Sequence, residues 1–167
     1  MVNARVRTAA VLLGIGLGGF IDGILLHQVL QWHSMFSAVV PPVSMDAMRF
    51  NMSADGLFHL VTWLVTLAGI AALWSAFGRG GTLPSTRSFV GYLLAGWGWF
   101  NLVEGLVNHH LLGLHHVRDL PEHVPAFDWA FLLVGGVGFI ALGMLLRNSR
   151  TRALPERRAG YDRRLLQ

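Results

Sequence analysis

Residues 20–34 read FIDGILLHQVLQWHS, and residues 102–116 read LVEGLVNHHLLGLHH. Shifting the chain by 82 residues aligns the two stretches without a gap. The aligned pairs are Asp22 with Glu104, Gly23 with Gly105, His27 with His109, Leu30 with Leu112, and His33 with His115. Leucine and glycine matches alone would mean little, but three ionisable positions in register indicate an internal repeat.

Each stretch begins inside an apolar run that is long enough to cross a lipid bilayer. Four such runs occur, at about residues 8–30, 57–77, 89–112 and 126–146. Each can span about 30 Å of hydrocarbon, which needs roughly 20 helical residues. Hydrophobic residues make up 53% of the chain and charged residues 13%, and the mean hydropathy is +0.51. This composition is typical of a membrane protein rather than a soluble domain.

The repeat predicts how the four helices are arranged. The sequence from Asp55 aligns loosely with that from Asp128, so each half contains two spans in the same orientation. Such repeats are related by an axis along the membrane normal. We therefore predict an all-α, polytopic membrane four-helix bundle over residues 1–147, with pseudo-two-fold symmetry and spans one and three as the inner pair. The basic segment 148–167 is expected to be a disordered tail.

The distribution of arginine predicts orientation. All 13 basic residues are arginine, and 11 of them flank the predicted spans on one side. Only Arg49 and Arg118 fall on the other side. The positive-inside rule then places both termini in the cytoplasm. The sequence pI of about 11.0 is explained by these arginine-rich segments on one side of the membrane. We therefore expect the lipid bilayer as partner and no nucleic acid. A homo-oligomer or a respiratory or metal-handling partner protein stays open.

Ionisable side chains at membrane depth are candidates for function, because burying them costs several kcal/mol unless they are paired. Cysteine is absent, so a metal would depend on His, carboxylate or Met. The candidate metal site, in the outer half of the bundle, consists of His27, His109, His59, His33, His115, Asp22 and Glu104.

Straight-helix geometry predicts that this site is layered. Asp22 and His27 are five residues apart, which corresponds to about 140° of rotation and roughly 7.5 Å of rise on an α-helix. The prediction is a deep carboxylate pair, a middle His27/His109 pair and an outer His33/His115 pair. In this arrangement a single ion would not bind Asp22, His27 and His33 together.

Methionines in the first outer loop favour copper as the metal. Met35, Met45, Met48 and Met52 lie in this loop, the last three at helical spacing. Thioether and imidazole ligands together suit Cu(I), with iron or zinc as the next candidates. The same methionines could equally dip into lipid headgroups from an interfacial helix.

Three other functions fit the same residues. Two histidines on facing helices could be the axial ligands of a haem in a membrane cytochrome. Asp22 and Glu104 could form the relay of a proton-coupled transporter. The polar core could also serve only to specify helix pairing. The sequence does not decide whether the protein is an enzyme.

The phrases GFIDGILLHQVLQWH and NLVEGLVNHHLLGLHHVRD resemble a family of four-span bacterial membrane proteins, the domain of unknown function 2243. The resemblance covers most of the chain up to about Leu146. It implies a bacterial inner-membrane location and four spans. It implies no activity that could be carried over.

Overall fold

A computed structural model describes residues 3–79 and 84–147, and these residues form helices and loops without a β-strand. The predicted tail at 148–167 lies outside the described residues. The described residues form four helices: α1 (Ala4–Val29), α2 (Met45–Gly78), α3 (residues 86–111) and α4 (Pro125–Arg147). The all-α class predicted from the sequence is confirmed.

Side-chain caps set the starts of α2 and α3, the second and third helices along the chain. Oγ of Ser44 accepts a hydrogen bond from the backbone N–H of Ala47 at the start of α2, and Oγ of Ser85 accepts one from Ser88 at the start of α3. Because α2 begins at Met45, it runs straight on from the methionine segment into the second apolar run. Its 34 residues make a helix of about 51 Å, which is longer than the hydrocarbon layer.

Three of the helices contain π-helical segments. The end of α1 is π-helical over Asp22–Val29 and the end of α3 over Gly105–Leu111, whereas in α4 the segment is internal, over Phe131–Gly138. After α1 and α3 the chain turns through left-handed residues, Gln31 with φ 52° and Gly113 with φ 58°. The two histidine-bearing stretches thus leave their helices in the same way.

Glycines allow α1 and α3 to approach each other closely at the centre of the molecule. A Cβ added to Gly14 would lie 2.0 Å from the carbonyl oxygen of Leu93, and one added to Gly96 would lie 2.2 Å from that of Val11. No side chain fits at either position. Helix α2 packs against α1 and α4 packs against α3, so the first and third helices form the inner pair.

Helices α1, α2 and α4 are long and apolar enough to cross a membrane, judged by length and composition. Helix α3 is not among them, although it is of similar length to α1. Its last three turns carry five polar residues that lower its hydropathy: Asn101, Glu104, Asn108, His109 and His110. These residues lie at the end of the helix where the candidate site is found.

Candidate metal centre

The two segments that follow α1 and α3, residues 30–44 and 112–124, fold across the same end of the molecule. The backbone N–H of Ala38 donates to the carbonyl of Leu114 (3.1 Å). Ser37 donates its hydroxyl to Oδ2 of Asp119 (2.6 Å), whose own N–H donates to the carbonyl of Trp32 (2.9 Å). We call this end, defined by the two segments, the loop end. These two crossed segments lie over the helix ends, where the histidines described next are found.

Four buried imidazoles form one contiguous cluster at the loop end: His27, His33, His109 and His115. The ring centroids of His27 and His33 are 4.3 Å apart, and those of His33 and His115 are 4.6 Å apart in a stacked arrangement. His109 lies 5.0 Å from His115. Each ring therefore contacts at least one other ring of the group, which we call the histidine cluster.

The layered arrangement predicted from a straight helix is wrong. A π-helix forms hydrogen bonds between residues i and i+5, so residues five apart lie one above the other on the same face. Nε2 of His27 accordingly lies 3.4 Å from Oδ2 of Asp22, and Nε2 of His109 lies 3.2 Å from Oε1 of Glu104. Carboxylates and imidazoles that were expected in separate layers are direct neighbours.

Three of the histidines are held in place through Nδ1. His27 donates from Nδ1 to Oδ1 of Asp55 (3.0 Å). His33 donates to the carbonyl of Val117 and His115 to that of Met35, both at 2.9 Å. A carbonyl can only accept, so the Nδ1 atoms of His33 and His115 carry the hydrogen. In the neutral rings the lone pair then lies on Nε2, the atom that points into the cluster.

Several buried polar atoms of the cluster make no hydrogen bond within the described residues. They are Oδ1 of Asp22, Nε2 of His27, Nε2 of His33, Oε2 of Glu104, and both ring nitrogens of His109. Buried polar atoms are nearly always satisfied, so such a concentration needs an explanation. A bound cation with these atoms as ligands would supply one.

Two aspartates that sequence reasoning left out of the site complete it. Oδ1 of Asp55 accepts from the backbone N–H of Met35 (2.8 Å) as well as from His27. Oδ1 of Asp128 accepts from the N–H of Val117 (2.8 Å) and lies 3.4 Å from Nδ1 of His109. The alignment of the sequence at Asp55 with that at Asp128 was the signal that could have identified them.

His59, predicted as a possible ligand, is not brought into the cluster. Its Nδ1 donates to the backbone carbonyl of Asp55, one turn earlier on α2 (2.7 Å), and its ring packs beside Phe58 and Phe20. The loop methionines do not supply side chains to the cluster's hydrogen bonds either. Met35 contributes its backbone, and three others are exposed along the start of α2: Met45, Met48 and Met52.

Burial keeps His33 neutral. Its side chain is fully enclosed, and this desolvation lowers the pKa of the imidazole well below 6.5, an effect that neighbouring His115 and His27 reinforce by charge repulsion. His33 lies beyond the last turn of α1, in the loop. A neutral imidazole with a free Nε2 is the form that binds a metal ion.

Two groups within the cluster have the spacing of a metal site. One consists of His27, His33 and His115, and the other of Glu104, His109 and His115. In each group the possible ligand atoms lie within 4.8 Å of one another. Imidazole and carboxylate ligands suit zinc, copper, iron or nickel. His115 belongs to both groups, so the five residues form one contiguous set of possible ligands.

Comparison with known proteins gives a family but no activity. Neither the curated proteins nor the solved structures that were compared include a match. One family model, described as "Predicted membrane protein (DUF2243)", matches residues 9–150. That range contains all of the histidine cluster. The chain is a member of this family of predicted membrane proteins, DUF2243.

Proposed function

We propose that this protein binds a transition metal in the membrane through the histidine cluster together with Asp22 and Glu104. The observation that carries the proposal is the grouping of His27, His33 and His115, whose possible ligand atoms lie within 4.8 Å of one another while Nδ1 of each ring is held by an acceptor. Metal-binding histidines characteristically donate their second N–H to a carboxylate or backbone carbonyl, which fixes the ring and its tautomer.

The proton count around His115 supports a bound cation. Nδ1 carries a hydrogen because it faces the carbonyl of Met35, yet Nε2 lies 2.9 Å from Oε1 of Glu104. A lone pair and a carboxylate oxygen repel at that distance, so either a second proton or a metal ion must lie there. The ring of His27 likewise lies between two acceptors, with Nδ1 facing Asp55 and Nε2 facing Asp22.

Charge balance points in the same direction. Four buried carboxylates surround the cluster: Asp22, Asp55, Glu104 and Asp128. Every ion pair that they make among residues 3–79 and 84–147 is with a histidine. Buried charges are stable only when compensated. A divalent ion would neutralise part of this negative charge without requiring that several imidazoles be protonated side by side.

We infer that the chain crosses the membrane four times as two tandem two-helix units. Helix α3 lies between α1 and α4, so a bilayer that contains those helices also encloses it. Matching contacts support the repeat. His33 donates to Val117 as His115 donates to Met35, and each partner lies 82 residues from its counterpart. These reciprocal bonds would lie on the pseudo-two-fold axis along the membrane normal.

The distribution of arginine supports cytoplasmic termini in a bacterial inner membrane. In that orientation the loop end faces the periplasm, and the histidine cluster lies in the outer half of the bilayer. The four-helix domain over residues 1–147 would be followed by a basic tail on the cytoplasmic side. A role in periplasmic metal handling, or in supplying metal to respiratory centres, fits this location.

Copper, which the sequence favoured, stays a candidate beside iron and zinc. Imidazole ligands suit all three metals. The exposure of Met45, Met48 and Met52 removes thioether coordination at the cluster as an argument for copper. The haem alternative is not supported, because rings packed at centroid distances of 4.3 to 5.0 Å leave no gap for a porphyrin plane among them.

A proton-binding centre is the second candidate, and the same observation favours it. The positions of His27 and His115 between two acceptors could be satisfied by protons instead of a metal. A transporter that uses Asp22 and Glu104 as its relay would then show pH-dependent flux in liposomes, and Glu104→Gln would abolish the flux without altering metal content.

The experiment is mass-spectrometric metal analysis of protein purified in detergent. We expect near-stoichiometric metal in the wild type and its loss in His27→Ala and His109→Ala. His110→Ala is the matched control, because His110 is exposed, adjacent in sequence to His109, and its ring packs against Trp129. Wild-type protein without metal after reconstitution under both oxidising and reducing conditions would refute the proposal.

A further inference from the structure

A second group of metal-ligating side chains lies outside the histidine cluster, at the surface of the loop end. It consists of His116, His123 and Asp128, whose possible ligand atoms lie within 4.8 Å of one another. The side chains of His116 and His123 are 25% and 40% exposed, whereas that of Asp128 is 4% exposed. The group is therefore open to solvent on one side and anchored in the protein on the other. We call it the surface triad.

The two histidines of the surface triad both face the same carboxylate oxygen of Asp128. Nδ1 of His116 and Nε2 of His123 each lie 3.0 Å from Oδ2 of Asp128, and the two rings stack with centroids 3.9 Å apart. Nδ1 of His116 is buried and makes no hydrogen bond in the described residues. An ion between the two rings and the carboxylate would satisfy this nitrogen.

Asp128 joins the surface triad to the buried cluster. Its Oδ2 faces the triad, and its Oδ1 lies 3.4 Å from Nδ1 of His109. The rings of His109 and His116 are 6.4 Å apart. One carboxylate thus contacts a ring on the surface and a ring inside.

The triad is present in only one half of the molecule. The position 82 residues before His116 is Ser34, which cannot replace an imidazole as a ligand. In the first half, Asp55 accepts hydrogen bonds from Met35 and His27. Among residues 3–79 and 84–147, the exposed pair of imidazoles with a carboxylate is thus found on the side of α4.

We propose that His116, His123 and Asp128 form a second metal-binding site, which is accessible from solvent and through which a divalent transition metal reaches the buried cluster. The binding site stands on its own geometry, whereas its role as an entrance rests on the function proposed above. Two imidazoles and a carboxylate are a common ligand set for zinc, with an open position left for water.

The test uses Zn²⁺ as the probe on the full-length, metal-free protein in detergent. Total zinc is measured after equilibrium dialysis, and the rate of loading is followed by rapid desalting at increasing times. The variants are His116→Ala with His123→Ala in one chain, and Glu122→Gln as the control, since Glu122 is an exposed residue of the same loop. His27→Ala reports on the buried cluster separately.

We expect the double variant to bind one equivalent of zinc fewer than the wild type and to load the buried cluster at least tenfold more slowly. Glu122→Gln should match the wild type in both measurements. An unchanged number of equivalents in the double variant would overturn the second site, and a lost equivalent with an unchanged loading rate would overturn its role as entrance. If His27→Ala has no effect on zinc while the double variant does, the buried centre fails and the surface site stands.

Discussion

Nε2 of His115 lies 2.9 Å from Oε1 of Glu104, although eleven residues separate them in the chain. The contact forms because α3 ends in a π-helical segment and the chain then turns back through Gly113 over the helix terminus. It joins a carboxylate from within the helix to an imidazole from the loop. The centre therefore depends on both the helix end and the loop that folds over it. We expect that changes to residues that hold these two parts in place will affect metal binding.

Asp55 supports the cluster without facing its centre, and its removal should weaken metal binding. In Asp55→Ala the N–H of Met35 and Nδ1 of His27 both lose their acceptor. Loss of a residue that orients a metal ligand typically lowers affinity by about 10- to 100-fold. Competition with a chelator measures the change. Asp55→Asn, which keeps one acceptor oxygen, should lose less than Asp55→Ala; equal affinities for all three proteins would contradict the supporting role.

The close contact between α1 and α3 should tolerate no side chain at Gly96. A Cβ there would lie 2.2 Å from the carbonyl oxygen of Val11, so Gly96→Ala must displace a backbone. We expect a loss of about 2 kcal/mol or more in the free energy of unfolding, together with reduced metal content. Gly56→Ala is the control, because a Cβ at Gly56 meets nothing within 4 Å. It should gain about 0.5 kcal/mol, and similar stabilities for the two variants would refute the contact.

The two left-handed turns provide a matched pair of substitutions. Gln31 and Gly113 have nearly the same φ, 52° and 58°, but only glycine adopts this conformation without cost. Gln31→Gly should therefore raise the free energy of unfolding by about 0.5 to 1 kcal/mol, and Gly113→Gln should lower it by a similar amount. Thermal unfolding in detergent measures both. Changes of the same sign would show that the turns are not equivalent.

The metal-free protein should lose stability in mild acid through His33. Burial lowers the pKa of this imidazole well below 6.5, so below that pH the unfolded chain takes up a proton that the folded chain does not. Stability from this group is thus present above pH 6.5 and decreases as the pH falls, by up to about 1.4 kcal/mol per pH unit. His33→Gln should flatten the profile of unfolding temperature against pH. A profile as steep as that of the wild type would contradict it.

Much of the fold follows from the sequence because hydrophobicity and repetition are local signals. The apolar runs predict the helices, and the repeat at Asp22 and Glu104 predicts which helices meet. The early start of α2 was missed, since the methionine segment is polar enough to suggest a separate helix. Only the cap at Ser44 and the continuous turn pattern show that it joins the second run.

The sequence predicted most residues of the candidate site but not their arrangement in space. Periodicity assumes an α-helix, and on that assumption Asp22 and His27 point in different directions. The π-helical segments change this geometry, and apolar sequence alone does not signal them. Asp55 and Asp128 were overlooked because they lie near the starts of the second and fourth apolar runs, where an acidic residue is unremarkable until its partners in the loops are known.

X-ray absorption spectroscopy at the edge of the co-purifying metal tests the central claim most directly. We predict scattering from at least three imidazoles with nitrogen at about 2.0 to 2.1 Å and no sulfur neighbour, and a weaker imidazole signal in His33→Ala. A sulfur shell at about 2.3 Å, or a spectrum without imidazole scattering, would place the metal away from the histidine cluster and contradict the account.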